Sequence, residues 1–256
     1  MRDTLLSQSD PQPVRKNGDL LSPGPFFLLG DHAGSAIPAA LGDLGLAPAD
    51  RQRHIALDIG VEALGLRLAE RLGAPFVRQA FSRLVIDCNR DPARPDAVPE
   101  ISDGTPIPGN TALDGAARQS RINEVFAPYH HAIHEALDAR AAAGLETVLV
   151  AVHSFTPVMQ GFARPWHIGV LYDRGDTRFA LRVLESLQGR DQLCVAGNEP
   201  YRMDLIDHTI PHHAYPRGLR YAEIEVRQDL IDPAAGNGVE MMAQLLAETL
   251  RASADA

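Results

Sequence analysis

Thr147-Val148-Leu149-Val150-Ala151-Val152 is the strongest strand signal in the chain, and it decides the fold. The run is continuously apolar rather than alternating, which is typical of a strand at the centre of a sheet covered on both faces. His153 and Ser154 follow it without a break. The pattern therefore predicts a central β-strand with polar side chains at its carboxyl end.

On either side of this strand, the chain alternates apolar runs with helical periodicity. Short apolar runs predict further strands at residues 25–30, 74–80, 83–88, 167–172, 193–195 and 219–226. Amphipathic or helix-forming segments predict helices at residues 48–73, 116–143, 177–187 and 238–251. Strands interleaved with covering helices predict an α/β fold, a three-layer sandwich with a mixed central sheet.

We expect one domain over residues 25–256. Residues 1–24 are rich in Ser, Pro and Gln with few large apolar side chains, and we interpret them as a mobile N-terminal arm. Residues 92–115 are dense in Pro, Gly and Asp and have no periodicity, which predicts a long loop. Loops of this length often line or cover a site in compact domains.

The composition argues against several classes of protein. A formal net charge of −9 and a pI near 5.5 give no broad basic surface, which argues against nucleic acid or an anionic membrane as the main partner. Cys88 and Cys194 each lie in an apolar run, which favours two buried thiols over a disulfide. No secretory signal or membrane span is evident, so we expect a cytoplasmic protein.

Three polar clusters follow predicted strands: Asp31-His32, Asn89-Arg90 and His153-Ser154. In open α/β sheets, ligands bind in the crevice outside the carboxyl ends of the strands. Imidazole is a common metal ligand, so we predict that His32 and His153 share one metal ion, with a carboxylate completing the set. A shared ion requires the two imidazoles to lie within about 7 Å of each other.

Asn89 and Arg90, with Arg83 upstream, suit an anionic substrate, because a guanidinium binds a carboxylate through two hydrogen bonds. The alternative for Asn89 and Arg90 is an ordinary surface turn. Glu223 and Glu225 alternate onto one face of the last predicted strand. Glu225 is then either a general base or the ion-pair partner of Arg227.

A second group of histidines is the other candidate metal site. His130 and His131 lie on a predicted helix, and His212 and His213 follow Pro211. Adjacent residues on a helix point about 100° apart, so this spacing fits a shared ion poorly. We therefore interpret His130, His131 and His134 as residues of the helix surface or rim.

With these residues in place, the chain resembles the N-formylglutamate amidohydrolase family, a branch of the zinc-dependent exopeptidase superfamily that includes zinc carboxypeptidases and aspartoacylase. The resemblance covers nearly all of residues 25–230. Its landmarks are Asp31-His32-Ala33-Gly34, Ile37-Pro38, Asp58-Ile59-Gly60, Ile86-Asp87-Cys88-Asn89-Arg90-Asp91-Pro92, Pro128-Tyr129-His130, His153-Ser154-Phe155 and Glu225-Val226-Arg227-Gln228-Asp229-Leu230.

The resemblance implies a phosphorylase/hydrolase-like fold, as in zinc exopeptidases, and hydrolysis of an N-acyl amino acid by a zinc-bound water. The implied residue roles are as follows: His32 and His153 as zinc ligands, Glu225 as general base and then acid, Arg83 as the carbonyl-polarising arginine, and Asn89, Arg90 and Ser154 in substrate binding. The implied partner is a small-molecule substrate such as N-formyl-L-glutamate. Its acyl group and the oligomeric state stay open.

The chain departs from the carboxypeptidase pattern His-x-x-Glu, because Ser35 stands three residues after His32. Serine supplies no carboxylate, so we predict Asp31 as the third metal ligand, with Asp58 as the second choice. The same departure motivates an alternative function: a non-catalytic carboxylate-binding protein of the same fold that has lost its metal.

Overall fold

A computed structural model describes residues 4–203 and 206–254 of the chain. A seven-stranded mixed sheet forms the middle layer. Its strands are β1 (Val14–Asn17), β2 (Phe26–Gly30), β3 (Phe76–Gln79), β4 (Val148–Phe155), β5 (Ile168–Leu171), β6 (Val195–Gly197) and β7 (Arg220–Arg227). Their order across the sheet is β1-β3-β2-β4-β7-β5-β6. Within the described residues, the predicted central strand β4 does occupy the middle position.

The four inner strands β3, β2, β4 and β7 run parallel, so their carboxyl ends meet at one edge of the sheet. The outer strand β1 is antiparallel to β3, and β5 is antiparallel to β7. In the register of β4 and β7, Glu225 lies opposite His153. The fold thus places these two side chains side by side before any loop is considered.

Helices cover both faces of the sheet. They are α1 (Val61–Leu72), α2 (Gly115–Arg121), α3 (Ala127–Ala142), α4 (Arg178–Gln188), α5 (Thr209–His213) and α6 (Gly238–Ala254). A π-helical turn, Ile122–Phe126, joins α2 to α3. One apolar core lies between the sheet and α1, α4 and α6, and a second lies between the sheet and the α2–α3 segment with α5. The architecture is the expected three-layer α/β sandwich.

Helix α1 begins thirteen residues later than the predicted start at residue 48. Gly60 takes a left-handed conformation with φ of 82°, which a right-handed helix cannot pass through. A β-carbon at Gly60 would also collide with the Ile231 carbonyl. Upstream of it, the Asp58 amide donates to the His32 carbonyl at 2.9 Å. Asp58 therefore lies on a loop beside the carboxyl end of β2 instead of inside a helix.

The predicted strand at residues 83–88 is wrong, since this segment is a series of turns. The Val85 amide donates to the Ser82 carbonyl at 2.9 Å, and Arg83 reaches Asp87 four residues on. Leu84, Val85 and Ile86 are apolar because they are buried beneath the 92–115 loop and the α2–α3 segment, and not because they pair in a sheet.

The predicted mobile arm differs from what is observed in its described part, residues 4–24. Strand β1 pairs with the edge of the sheet, and the Glu124 carboxylate accepts hydrogen bonds from the amides of Leu5 and Leu6. Polar composition concealed these contacts, because they use backbone groups. Residues 1–3 lie outside the described residues.

The two cysteines were expected to be buried thiols. Cys88 and Cys194 are both free thiols, but only Cys88 is buried, and Cys194 is exposed at the edge of β6. Within residues 4–203 and 206–254, no helix is long and apolar enough to cross a membrane.

Arg140 holds the arm and the start of the sheet together. Its side chain is fully buried and donates to the Thr147 hydroxyl at 2.9 Å. It also donates to backbone carbonyl oxygens at 2.7–3.1 Å; these belong to Leu20, Ser22, Gly24 and Glu146.

Arg140→Met keeps the buried aliphatic stem but leaves four carbonyls without their donor. We expect a loss of about 3 kcal/mol or more in the free energy of unfolding, measured by denaturant titration. Arg174→Met, at an exposed arginine paired with Asp173, is the control and should change stability by less than about 0.5 kcal/mol. Equal stabilities of the two variants would contradict the role given to Arg140.

Candidate metal centre

Three buried side chains bring their donor atoms together at the carboxyl edge of the sheet: His32, Asp58 and His153. Asp58 Oδ2 lies 2.9 Å from His153 Nδ1 and 3.4 Å from His32 Nδ1. The ring centroids of the two imidazoles are 4.9 Å apart, well inside the limit for a shared ion. Ligands bound to one tetrahedral cation at about 2.0–2.2 Å stand roughly 3.4 Å apart, so this spacing matches such a set.

Each imidazole is held from its other nitrogen by a carboxylate. His32 Nε2 lies 2.7 Å from Asp87 Oδ1, and His153 Nε2 lies 3.3 Å from Asp31 Oδ2. The Thr209 hydroxyl in turn donates to Asp31 Oδ1 at 3.0 Å. Carboxylates in this position fix the orientation of a metal-binding histidine and raise its basicity.

Local backbone structure sets these positions. His32 follows β2 by two residues, and His153 lies within β4, the neighbouring parallel strand. Gly34 lets the chain after His32 pass against the residues that follow β3, because a β-carbon there would collide with the Ala80 carbonyl. The Ser154 amide donates to Asp58 Oδ2 at 3.3 Å and so ties the Asp58 loop to β4.

Arg83 connects two of the carboxylates. Its guanidinium donates to Asp58 Oδ1 at 3.2 Å and to Asp87 Oδ2 at 2.7 Å. Burial alone would raise the pKa of Asp87, but Arg83 and His32 outweigh burial and hold that pKa well below its ordinary value. Asp87 is therefore a carboxylate over the whole physiological pH range.

The electrostatics of the site favour a bound cation. The site buries five carboxyl groups, each at most 5% exposed: Asp31, Asp58, Asp87, Glu223 and Glu225. Burial alone would lower the pKa of His153, yet Asp31 and Asp58 raise it well above its ordinary value. His32 Nδ1 is buried and has no hydrogen-bond partner. Three of these groups, Asp31, Asp58 and Asp87, have lowered pKa values, and such carboxylates beside an unsatisfied imidazole nitrogen fit a divalent cation.

A cavity of about 510 Å³ opens above these donors. His32, Asp58 and His153 line it, and so do Glu223 and Glu225. Burial raises the pKa of Glu225 to about 7 and that of Glu223 well above its ordinary value. One carboxyl oxygen of each glutamate is buried without a hydrogen-bond partner. Glu225 can thus accept a proton at neutral pH next to the candidate metal.

The family model for N-formylglutamate amidohydrolase matches residues 24–232, which include all of these residues. The chain belongs to the N-formylglutamate amidohydrolase family. The resemblance drawn from the sequence is confirmed.

Two solved structures similar to the chain bear on this assignment. A gene product of Agrobacterium tumefaciens is 37% identical, with 98% of each chain covered and a TM-score of 0.93. An N-formylglutamate amidohydrolase from Ralstonia eutropha JMP134 is 21% identical, with 95% of this chain and 97% of that chain covered and a TM-score of 0.66. The second likeness concerns the fold. No curated protein gives a significant match.

The sequence analysis preferred Asp31 over Asp58 as the carboxylate ligand, and the structure favours Asp58. Asp58, the second choice, lies in the donor group. Asp31, the first choice, lies on the far nitrogen of His153 and is not among the residues that line the cavity. In this arrangement Asp31 contacts the donor group through His153.

The residues expected to bind substrate already have partners in the chain. The Ser154 hydroxyl donates to the Ile59 carbonyl at 2.8 Å. The Asn89 side-chain oxygen accepts the amides of His208 and Thr209 at the start of α5. Arg90 donates to Asp207 Oδ1 at 3.2 Å, although it still lines the cavity. Arg227 pairs with Asp229 and leaves Glu225 available.

The second histidine group also differs from expectation. His130 is buried, and not at the surface: its Nε2 lies 2.9 Å from the Cys88 carbonyl oxygen and its Nδ1 lies 2.9 Å from His213 Nε2. Burial and the neighbouring histidines lower the pKa of His130 to about 3. His131 and His134 are exposed as predicted. His130 and His213, whose pKa values are both lowered by burial, stack as neutral rings between α3 and α5.

Sequence reasoning missed Asp87 and Thr209 as supporting residues and gave Glu223 no separate role. Asp87 was assigned to a predicted strand, and that assignment predicted no contact between its side chain and His32. Thr209 follows a segment with no clear periodicity. Asp58 was only the second choice. The signal that could have ranked it first was Gly60, two residues later, which marks an interruption of the predicted helix.

Asp58→Asn and Asp31→Asn form a matched pair that separates ligand from support. We expect the Asp58 variant to lose stoichiometric zinc, and the Asp31 variant to bind zinc about 10–100-fold more weakly. The measurements are metal content by plasma emission spectroscopy and zinc affinity by competition with a chelating dye. A metal-free Asp31 variant beside a fully loaded Asp58 variant would show that the two roles are exchanged.

Proposed function

We propose that the chain is a metal-dependent amidohydrolase that cleaves the amide bond of an N-acyl amino acid such as N-formyl-L-glutamate. The observation that carries the proposal is the donor group His32, Asp58 and His153 at the floor of the cavity, with Glu225 beside it. Membership of the N-formylglutamate amidohydrolase family supports the same reaction class.

We infer that His32, Asp58 and His153 hold the metal, with zinc as the ion that this donor set fits. When bound, such an ion lowers the pKa of water and polarises a carbonyl group. Asp87 and Asp31 hold the two imidazoles in place from behind. All three donors line the cavity, so a substrate in the cavity would lie beside a metal held by them.

Glu225 is the proposed general base and acid. Its carboxyl lies in register with His153, faces the cavity and keeps one oxygen free of hydrogen bonds. A base with a pKa of about 7 takes a proton from water and returns it to the leaving amine within the same turnover. Burial raises the pKa of Glu223 well above its ordinary value, so Glu223 stays protonated and is not the proposed base.

Arg83 and Arg90 are the proposed cationic groups toward the substrate. Both line the cavity, and both are partly exposed, at 25% and 20% of the side chain. Arg83 polarises the scissile carbonyl with the N–H groups that its carboxylate partners leave free. Arg90 binds a substrate carboxylate on the side of its guanidinium that faces away from Asp207. Asn89 and Ser154 act through the backbone of α5 and of the Asp58 loop.

The alternative function, a carboxylate-binding protein without metal, rested on the missing glutamate after His32. The position of Asp58 beside His32 and His153 offers a carboxylate donor, which supports the enzyme over the alternative. Both functions predict carboxylate binding, and only the enzyme requires a cation for turnover.

We expect the zinc-loaded protein to release formate from N-formyl-L-glutamate, and a chelator to abolish the release until zinc is restored. Formate formation is measured with formate dehydrogenase for N-formyl amino acids, and release of the free amino group is measured for the other N-acyl amino acids of a panel. Zinc-free protein that binds the same compounds but releases no acyl group when zinc is added would instead support the binding protein.

Glu225→Gln should lower kcat by about 10²–10⁴-fold, because the amide cannot take up a proton. Zinc content should be unchanged, since Glu225 is not a proposed ligand. Glu223→Gln is the matched control: glutamine resembles a protonated glutamate, so we expect less than a tenfold effect. A larger loss of kcat in the Glu223 variant would assign the base to the other glutamate.

A further inference from the structure

Three arginines line the cavity, and two of them are already neutralised by the chain: Arg83 pairs with Asp58 and Asp87, and Arg90 pairs with Asp207. The third, Arg202, is exposed at the cavity wall. Across residues 4–203 and 206–254, the ion pairs include none to Arg202. Its positive charge is therefore available to a ligand in the cavity.

A fourth arginine, Arg164, lies behind this wall. It is 8% exposed and forms no ion pair within the described residues. Its contacts are the Tyr201 hydroxyl, which accepts a hydrogen bond from Nη1 at 2.9 Å, and the ring faces of Tyr201 and Phe155 at 4.8 and 5.8 Å. A phenol and two aromatic ring faces carry no negative charge. The positive charge of the nearly buried Arg164 guanidinium is therefore not balanced by an ion pair among the described residues.

Tyr201 lines the cavity and connects Arg164 to it. Because Arg164 donates to the phenol oxygen, the Tyr201 O–H group is left to donate to something else. Burial raises the pKa of Tyr201, so the phenol stays a donor at neutral pH. Tyr201 and Arg202 thus offer one phenolic donor and one guanidinium to the cavity, and both suit an anion.

We propose that Tyr201 and Arg202, with Arg164 as the positioning residue behind Tyr201, form a subsite for one carboxylate of the substrate, separate from Arg90. This inference rests on the proposed function for the identity of the substrate. A carboxylate is the anion that fits, because N-acyl amino acids carry no other charged group common to the class. The subsite places that carboxylate against a positive charge that no ion pair among residues 4–203 and 206–254 neutralises.

The test uses three substrates that differ by one charge: N-formyl-L-glutamate, N-formyl-L-glutamine and N-formyl-L-isoglutamine. Tyr201→Phe and Arg202→Gln alter exposed positions and should leave the fold intact. We expect each variant to raise KM for N-formyl-L-glutamate by about 10–100-fold with kcat within threefold. The effect should vanish with whichever monoamide lacks the carboxylate bound at the subsite. Arg174→Gln is the matched control and should change none of these values.

Three outcomes would overturn the proposal. An equal rise in KM for all three substrates would mean that Tyr201 and Arg202 do not recognise a charge. A loss confined to kcat would mean that Tyr201 acts on the scissile carbonyl. Unchanged KM values in both variants would also overturn it.

A binding measurement separates this proposal from the proposed function. Calorimetric titration of L-glutamate, L-glutamine and L-isoglutamine into zinc-loaded protein requires no turnover. If the wild-type chain hydrolyses none of the substrates, the proposed function fails, and the subsite still stands on a 10–100-fold weaker binding of L-glutamate by Arg202→Gln. If hydrolysis occurs but binding and KM are unaffected, the subsite alone fails.

Discussion

The site depends on one electrostatic constraint: five carboxyl groups are buried around two imidazoles, and Arg83 contacts two of these carboxyl groups, Asp58 and Asp87. Burying ionised carboxylates costs several kcal/mol each unless charge and hydrogen bonds offset it. In the protein alone, the offset comes from Arg83, from protons on the imidazoles and from the raised pKa of Glu225. A divalent cation bound by His32, Asp58 and His153 would add positive charge at the same place and would make metal binding and folding of this edge interdependent.

The topology explains why these charges meet. Strands β2 and β4 are parallel neighbours, so the residues that follow β2 and those near the end of β4 lie at one edge. Strand β7 continues the parallel set and brings Glu225 into register with His153. The Asp58 loop is fixed to both strands, by its own amide to His32 and by its carboxylate to the Ser154 amide. The donor group therefore rests on hydrogen-bonded sheet structure, although Asp58 itself lies on a loop.

The parts that could be predicted from the sequence are those that periodicity and strand ends encode. The central strand, the three layers and the meeting of His32 and His153 follow from apolar runs that end in polar residues. The residues alone leave Glu225 open between a general base and a partner of Arg227, and only the family resemblance favours the base. Asp58 could be reached only as a second choice, because the 3.6-residue period around it masks the interruption at Gly60. Asn89 and Ser154 have the right chemistry for substrate but donate and accept within the chain, and no pattern reports on such contacts.

Arg83 shows why the charges of this site cannot be treated one by one. It touches Asp58, a proposed ligand, and Asp87, which orients the other nitrogen of His32, and it also faces the cavity. Removing its charge would raise the pKa values of both aspartates and loosen the orientation of His32 at the same time. A slower Arg83 variant is therefore informative about carbonyl polarisation only when its zinc content equals that of the wild type. With equal zinc, the lost rate belongs to the guanidinium; with less zinc, it belongs to the ligands that Arg83 holds in place.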